Sequence, residues 1–204
     1  RFSLLIQIDP TDSPERVSRM VRGLRFSLTR NDVECLALVN GTPAEGETCA
    51  ILRAEPGIQR VMTWRRDQGA GVGWSALIDG SRGRMLALLS AGAVIRDSRW
   101  LDRMAEGLRR AGVGLCAAAG AVIAPDWLRL IPPEVSDQPL LIDVPLGEGV
   151  LLRREAARES AFERGARTIP AFWAEIGLWV RGAGYELIQI SGEPSLGVNT
   201  SHLK

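Results

Sequence analysis

Lysine is all but missing from this chain: Lys204 is the only one, so no glycine-rich loop can end in Gly-Lys-Ser/Thr and a P-loop site is excluded. The basic character rests on arginine, a pattern that reflects a GC-rich coding sequence rather than a selected arginine cluster. Neither sign of charge is in excess. Twenty-five basic against 24 acidic residues leave a net charge of +1, which creates no field to recruit nucleic acid or an anionic membrane. Cys35, Cys49 and Cys116 form no CxxC pair, and their odd number and wide spacing suggest neither a zinc site nor a disulfide framework. A reducing cytoplasm fits that usage. No apolar run reaches the roughly 18 residues of a membrane span. The longest candidate, 111–124, is rich in glycine and alanine and is cut off by Pro125-Asp126, so it reads as a buried strand. An initiator methionine and signal-peptide architecture are also lacking at Arg1, as expected of a segment cut from a longer polypeptide.

What is present suffices for one substantial core: 204 residues, 46% of them hydrophobic, exclude two ordinary domains plus a linker. The expected organisation is one domain over 1–190 with a C-terminal tail over 191–204. Phe2 to Ile8 is a short apolar run stopped by Asp9-Pro10, which predicts a buried strand. Asp12 or Ser13 can then cap a helix that has Pro14 and Glu15 in its first turn and Val17, Met20, Val21, Leu24 and Leu28 at helical spacing. Further strands are predicted over Glu34 to Val39, Gln59 to Trp64, Met85 to Leu89, Val113 to Ile123, Leu140 to Val144, Gly149 to Arg153 and Tyr185 to Ile190. Helices are predicted over Trp74 to Asp79, Trp100 to Arg110, Arg154 to Glu163 and Trp173 to Arg181. This alternation predicts an α/β fold with a mainly parallel sheet, helices on both faces, and a ligand site beyond the carboxyl ends of the strands.

The turn Gln68 to Gly73 carries Gly69, Gly71 and Gly73 after a strand, but its spacing is G-x-G-x-G and it comes third in strand order, so it is not a dinucleotide fingerprint. The order of several blocks is more informative. S-L-L-I-Q-I-D-P (Ser3 to Pro10), V-N-G-T (Val39 to Thr42), W-R-R-D-Q-G-A-G-V-G-W-S-A-L (Trp64 to Leu77) and S-R-G-R-M-L-A-L-L (Ser81 to Leu89) resemble successive blocks of the family-two glycosyltransferases. G-E-G-V-L-L-R-R-E-A (Gly147 to Ala156) resembles the family's acceptor-side strand and helix start. A-E-I-G-L-W-V-R-G-A-G-Y (Ala174 to Tyr185) resembles its block around E-D-x-D-L, an arginine and G-Y. The resemblance covers roughly residues 2 to 190 and implies a GT-A fold with its site at the carboxyl ends of the first, second and fourth strands.

It also implies where chemistry should lie, and there the sequence departs. Val39 stands where the family has a base-binding aspartate, although Asn40-Gly41-Thr42 remain; Ser90-Ala91-Gly92 stand where a D-x-D cluster would hold a cation on the diphosphate; Gly177 replaces a carboxylate of the E-D-x-D-L block. Manganese or magnesium is therefore not expected as cofactor. His202, the only histidine, and Asp97 are weak candidates for a metal ligand, Asp97 reading better as a helix cap before Trp100. By resemblance Ile8, Asp9, Pro10, Asn40, Gly41, Asp67, Gly69, Gly73, Ser75 and Ser90 line a nucleotide-sugar pocket. Arg65, Arg66, Arg82 and Arg84, with the amides of the glycine turn, offer metal-free phosphate donors. Glu175 takes the place of the general base, with Trp173 and Arg181 on the acceptor side.

Two readings follow. One is a glycosyltransferase domain using a nucleotide-diphosphate sugar in an inverting single displacement onto a glycan, lipid-linked or protein acceptor. The other is a non-catalytic domain that kept the fold as a scaffold or binding module within a larger polypeptide.

Overall fold

The computed structural model describes residues 1–41, 46–124, 129–133, 138–159, 165–190 and 196–197. His202, Thr42 and Trp127 lie outside the described residues. In chain order the elements are β1 (Phe2–Ile8), α1 (Pro14–Leu28), β2 (Val33–Asn40), α2 (Glu47–Arg53), β3 (Arg60–Trp64), α3 (Ala70–Gly80), β4 (Met85–Ser90), β5 (Val94–Ile95) and α4 (Trp100–Gly107). Then follow β6 (Val113–Ile123), β7 (Leu130–Ile131), β8 (Leu140–Ile142), β9 (Val144–Arg153), α5 (Arg154–Glu159), α6 (Ile169–Gly182), β10 (Glu186–Gln189) and β11 (Leu196–Gly197).

The main sheet has the order β3-β2-β1-β4-β9-β6-β10-β8, with β7 added beside β6. Strands β3, β2, β1 and β4 run parallel, β9 is antiparallel to both β4 and β6, and β6 and β10 are again parallel to each other. The sheet is thus mostly parallel, as the alternation predicts. Strand β1 is buried along its whole length, as a central parallel strand covered on both faces must be. Its alternation divides the core. Leu4, Ile6 and Ile8 join a cluster with Val17, Met20 and Leu24 of α1 and Trp100 of α4, whereas Leu5 joins Trp74 and Leu77 of α3 and Phe172 and Ile176 of α6. Trp100 is fully buried and its indole N–H donates to Ser27 Oγ at 2.9 Å, so this core tryptophan leaves no orphan donor.

Helix α1 forms as expected: the Ser13 side chain accepts from Arg16 N, Pro14 sits in the first turn, and Val17, Met20, Val21, Leu24 and Leu28 are buried. Two elements differ from the sequence reading. The strands expected at Leu140 to Val144 and Gly149 to Arg153 are a short β8 and one long β9 running Val144–Arg153. Helix α6 begins at Ile169 rather than Trp173, because the Thr168 side chain accepts from Ala171 N and Pro170 falls in the first turn, where its missing N–H costs nothing. Helix α5 ends at Glu159, and the rest of the helix expected up to Glu163 lies outside the described residues.

From β1 the chain builds outward to β2 and β3 on one side, then returns to place β4 on the other. The carboxyl ends of β1 and β4 therefore flank a switch point, where an open α/β sheet leaves a crevice.

Candidate functional site

At the carboxyl end of β1 the apolar core gives way to polar loop residues. Ile8 ends β1 at 1% exposure, Asp9 after it is half-buried and Pro10 is exposed. The turn after β1 is self-contained, with Asp9 N donating to Asp12 Oδ2 at 2.9 Å and Asp12 N to Asp9 O at 3.0 Å. At the end of β2, buried Asn40 donates from Nδ2 to Asp67 Oδ1 at 2.6 Å and accepts from Gln68 N at 3.1 Å. Gly41 has φ +72°, and a Cβ there would lie 2.6 Å from Pro10 Cγ and 3.2 Å from Asp67 Cβ, so only glycine lets the three loops meet. The structure thus brings Pro10, Asn40, Gly41 and Asp67 together, with Ile8 and Asp9 alongside at the end of β1.

The glycine turn is occupied by the protein itself. Gly69 N donates to Asp67 Oδ1 at 2.8 Å, Ala70 N to Arg167 O at 3.2 Å and Gly71 N to Ala166 O at 2.8 Å. Amides that open a helix usually stay available for an anion; here the segment before α6 caps them. Gly73 allows close packing of α3 on β1, since a Cβ would lie 2.5 Å from Gln7 Oε1, and Ser75 Oγ donates back to Gly71 O at 2.9 Å. Arg65 and Arg66 are exposed beyond β3. Arg82 and Arg84 are exposed at the opposite end of the sheet, where Arg84 N bonds Arg1 O and Arg82 N bonds Glu34 Oε1, so proximity to the glycine turn is corrected for these two.

The decisive arrangement lies after β4, and it involves residues the sequence did not single out. Ser90 Oγ donates to the carboxylate of Glu148 on β9. Arg16 of α1 donates from Nη2 to Glu148 Oε1 at 2.7 Å, and its Nη1 lies 3.4 Å from Asp12 Oδ1. Gly92 faces this pair directly: a Cβ on it would overlap Arg16 Nη2 and the Glu148 carboxyl group. Arg16 and Glu148 stand 132 positions apart, so no local pattern could have joined them. Crowding of carboxylates raises Asp9 to a pKa of about 6, first through burial, then through Asp12, Asp67 and Glu148, with only the Gln7 amide opposing. Burial raises Asp12 as well, against Arg16 and the Asp9 amide.

On the acceptor side, α6 lies tight against the start of β9. A Cβ on Gly177 would sit 2.7 Å from Asp143 O and 2.9 Å from Pro145 Cδ. Arg181 pairs with Asp143, whose other oxygen accepts from Ile123 N at 2.7 Å. Trp173 is 4% exposed, its ring centroid 5.6 Å from that of Trp74 and 5.4 Å from that of Phe172, so it is a core residue without an open stacking face. Glu175 Oε2 is buried and has no hydrogen-bond partner among the described residues. Asp97 Oδ1 accepts from Arg99 N at 3.0 Å and its other oxygen pairs with Arg103, but the N-cap of α4 is Arg99, without a side-chain cap bond, so the cap expected at Asp97 is corrected to a turn residue two positions earlier.

No protein-family model and no curated sequence matches the chain. Solved structures do. A mannosyltransferase, PcManGT of Pyrobaculum calidifontis, solved with GDP-Man and Mn2+, superposes with a TM-score of 0.68 at 13% identity, over 94% of this chain and 55% of that one. S. aureus TarS 1-349 gives 0.65 at 12% identity over 95% of this chain and 58% of that one, and it has also been solved with UDP and with UDP-GlcNAc. The fold is that of a GT-A glycosyltransferase. The chain spans little more than half the length of these structures, and at such identity the likeness concerns the fold alone.

A GT-A fold raises the question of a divalent cation, and the two carboxylates nearest Ser90-Ala91-Gly92 are already engaged. Hard cations need several oxygen ligands with free lone pairs. Here Glu148 already serves Ser90 and Arg16, and Asp12 serves Asp9 N and Arg16. Among the described residues no group of three or more His, Cys, Asp or Glu side chains could hold a metal.

Proposed function

We propose that this domain is a non-catalytic GT-A module, a scaffold or binding domain within a larger polypeptide, whose crevice does not carry out metal-assisted sugar transfer. The observation that carries this reading is the Arg16–Glu148 ion pair packed against Gly92, in the space a carboxylate at that position would need. The capped amides of Ala70 and Gly71 support it, because a pyrophosphate would find these helix N-terminal donors already bonded to Arg167 O and Ala166 O. No helix among the described residues is long and apolar enough to cross a membrane, and the module is proposed to work in the cytoplasm.

The test is incubation with UDP-, GDP- and dTDP-sugars, with and without manganese, following melting temperature and released nucleotide. A donor present at 100 times its dissociation constant would stabilise the fold by about 2.7 kcal/mol. The expected result is no such shift and no nucleotide release above buffer. Manganese-dependent stabilisation or release would contradict it.

The buried Oε2 of Glu175, without a hydrogen-bond partner among the described residues, favours a second reading, in which the chain is an inverting transferase with Glu175 as general base and a glycan, lipid-linked or protein acceptor. Under that reading nucleotide release is measurable and Glu175→Gln abolishes it.

A further inference from the structure

Strand β5 follows the turn at Ser90-Ala91-Gly92, and its seat comes from α1 and the core behind it. Ile95 packs against the core cluster that α1 helps to form, and its carbonyl oxygen lies 3.0 Å from the position a Cβ on Gly23 of α1 would take. One edge of β5 is taken by the chain's own C-terminal segment. Leu196 pairs with Ile95 and Gly197 with Val94, antiparallel, in a two-stranded sheet separate from the main one. The same segment, β11, also lies against β9.

These two neighbours belong to the arrangement after β4. Strand β4 pairs with β9 as far as Leu89 with Gly149, so the part of β9 that carries Glu148 runs on past that pairing to hold Ser90 and Arg16. Strand β5 leads away from the Gly92 side of the same pair. Strand β10 ends at Gln189, with β6 and β9 between it and β4, so by Leu196 the chain has come back across the sheet to the turn after β4.

The hold of β11 is local. A ladder of two residues contributes one or two hydrogen bonds, and each changes an opening equilibrium by about two- to tenfold. Strands buried on both faces, as β1 is, exchange their amides only when the whole domain opens. We propose that the C-terminal segment is an intramolecular strap: β11 closes over the opening after β4 by pairing with β5, and it releases without unfolding of the sheet to uncover the Arg16–Glu148 pair and the edge of β5. The strap goes beyond the non-catalytic reading and does not depend on it, because it governs access to a scaffold and to a transferase alike.

The test is amide hydrogen exchange of the whole chain, comparing the natural sequence with Leu196→Pro/Gly197→Pro. Alternate residues of an antiparallel strand donate across the ladder, so proline at both positions removes whichever N–H faces β5. In the natural chain the amides of Val94 and Ile95 are expected to exchange at least about 100-fold faster than those of Leu4 to Ile6. The double variant is expected to speed the β5 amides by a further tenfold or so and to leave β1 unchanged. Carboxyl labelling with a carbodiimide and glycine ethyl ester, mapped by mass spectrometry, gives an independent readout. Glu148, whose side chain is 18% exposed, is expected to label at least about threefold faster in the double variant, whereas Asp32 before β2, 49% exposed, keeps its rate. Exchange of β5 only together with β1, or loss of β1 protection in the double variant, would make β11 part of the core and overturn the strap. Unchanged β5 exchange or unchanged Glu148 labelling in that variant would show that β11 covers nothing, and would overturn it equally. No sugar nucleotide enters these measurements, so the non-catalytic reading stands or falls by its own test.

Discussion

Restoring a carboxylate at position 177 is expected to weaken the fold rather than create an active site: Gly177→Asp should lose about 3 kcal/mol of stability in urea unfolding. The reason is backbone, not chemistry. A Cβ at 177 meets the carbonyl oxygen of Asp143 at 2.7 Å and the Pro145 ring at 2.9 Å, neither of which can swing aside as a side chain would. The added carboxylate would also lie near that oxygen and the Asp143 side chain, adding repulsion to overlap. Gly177→Ala isolates the steric part and is expected to cost about 2 kcal/mol. A stable Gly177→Asp variant would show that α6 can move off β9, and the close approach would then carry no weight.

Asp9→Asn is expected to do the opposite and stabilise the chain above neutral pH. Folding raises the Asp9 pKa from 3.8 to about 6, so the folded state holds this proton more tightly than the unfolded one. The charge penalty is absent below pH 3.8, grows as pH climbs through about 6, and is complete above it. A rise of that size corresponds to about 3 kcal/mol; Asp9 is partly exposed, and solvent screening reduces the expected gain to about 1–2 kcal/mol. Melting temperatures of the two proteins should therefore diverge between pH 4 and pH 7 and coincide below pH 4. Parallel curves across that range would mean that Asp9 is not desolvated among its acidic neighbours.

The parts of the fold that were legible in sequence are those governed by local rules. Strand β1 announces itself as an apolar run closed by Asp9-Pro10, and α1 by Ser13, Pro14 and a 3.6-residue repeat. Pro145, Gly147 and Gly149 look like punctuation in the sequence, yet β9 runs through all three. In the sheet, Gly147 takes φ +101°, and the pairing of β9 with β6 shifts register between Ala117 and Ala119, which lets one strand pass through those residues.

The candidate site divides the same way. Loss of acidic side chains at 90–92 and at 177 was visible as substitution against a resembling family, but its meaning was not. Gly92 faces an arginine from α1 and a glutamate from β9, and Gly177 faces the corner before β9; both are tertiary contacts between distant positions. Gln7 illustrates the converse: it stands in full view inside an apolar strand, and only the fold shows its amide packed on Gly73 of α3.

The most direct test of the central claim is calorimetric titration of Mn2+ in the presence of UDP or GDP, comparing the natural chain with Arg16→Ala/Gly92→Asp. That double variant removes the guanidinium and returns a carboxylate beside Glu148 and Asp12, an oxygen-rich set suited to a hard cation. The account predicts no measurable Mn2+ binding to the natural chain and binding at least about tenfold tighter in the double variant. Stoichiometric, nucleotide-dependent Mn2+ binding by the natural chain would contradict it.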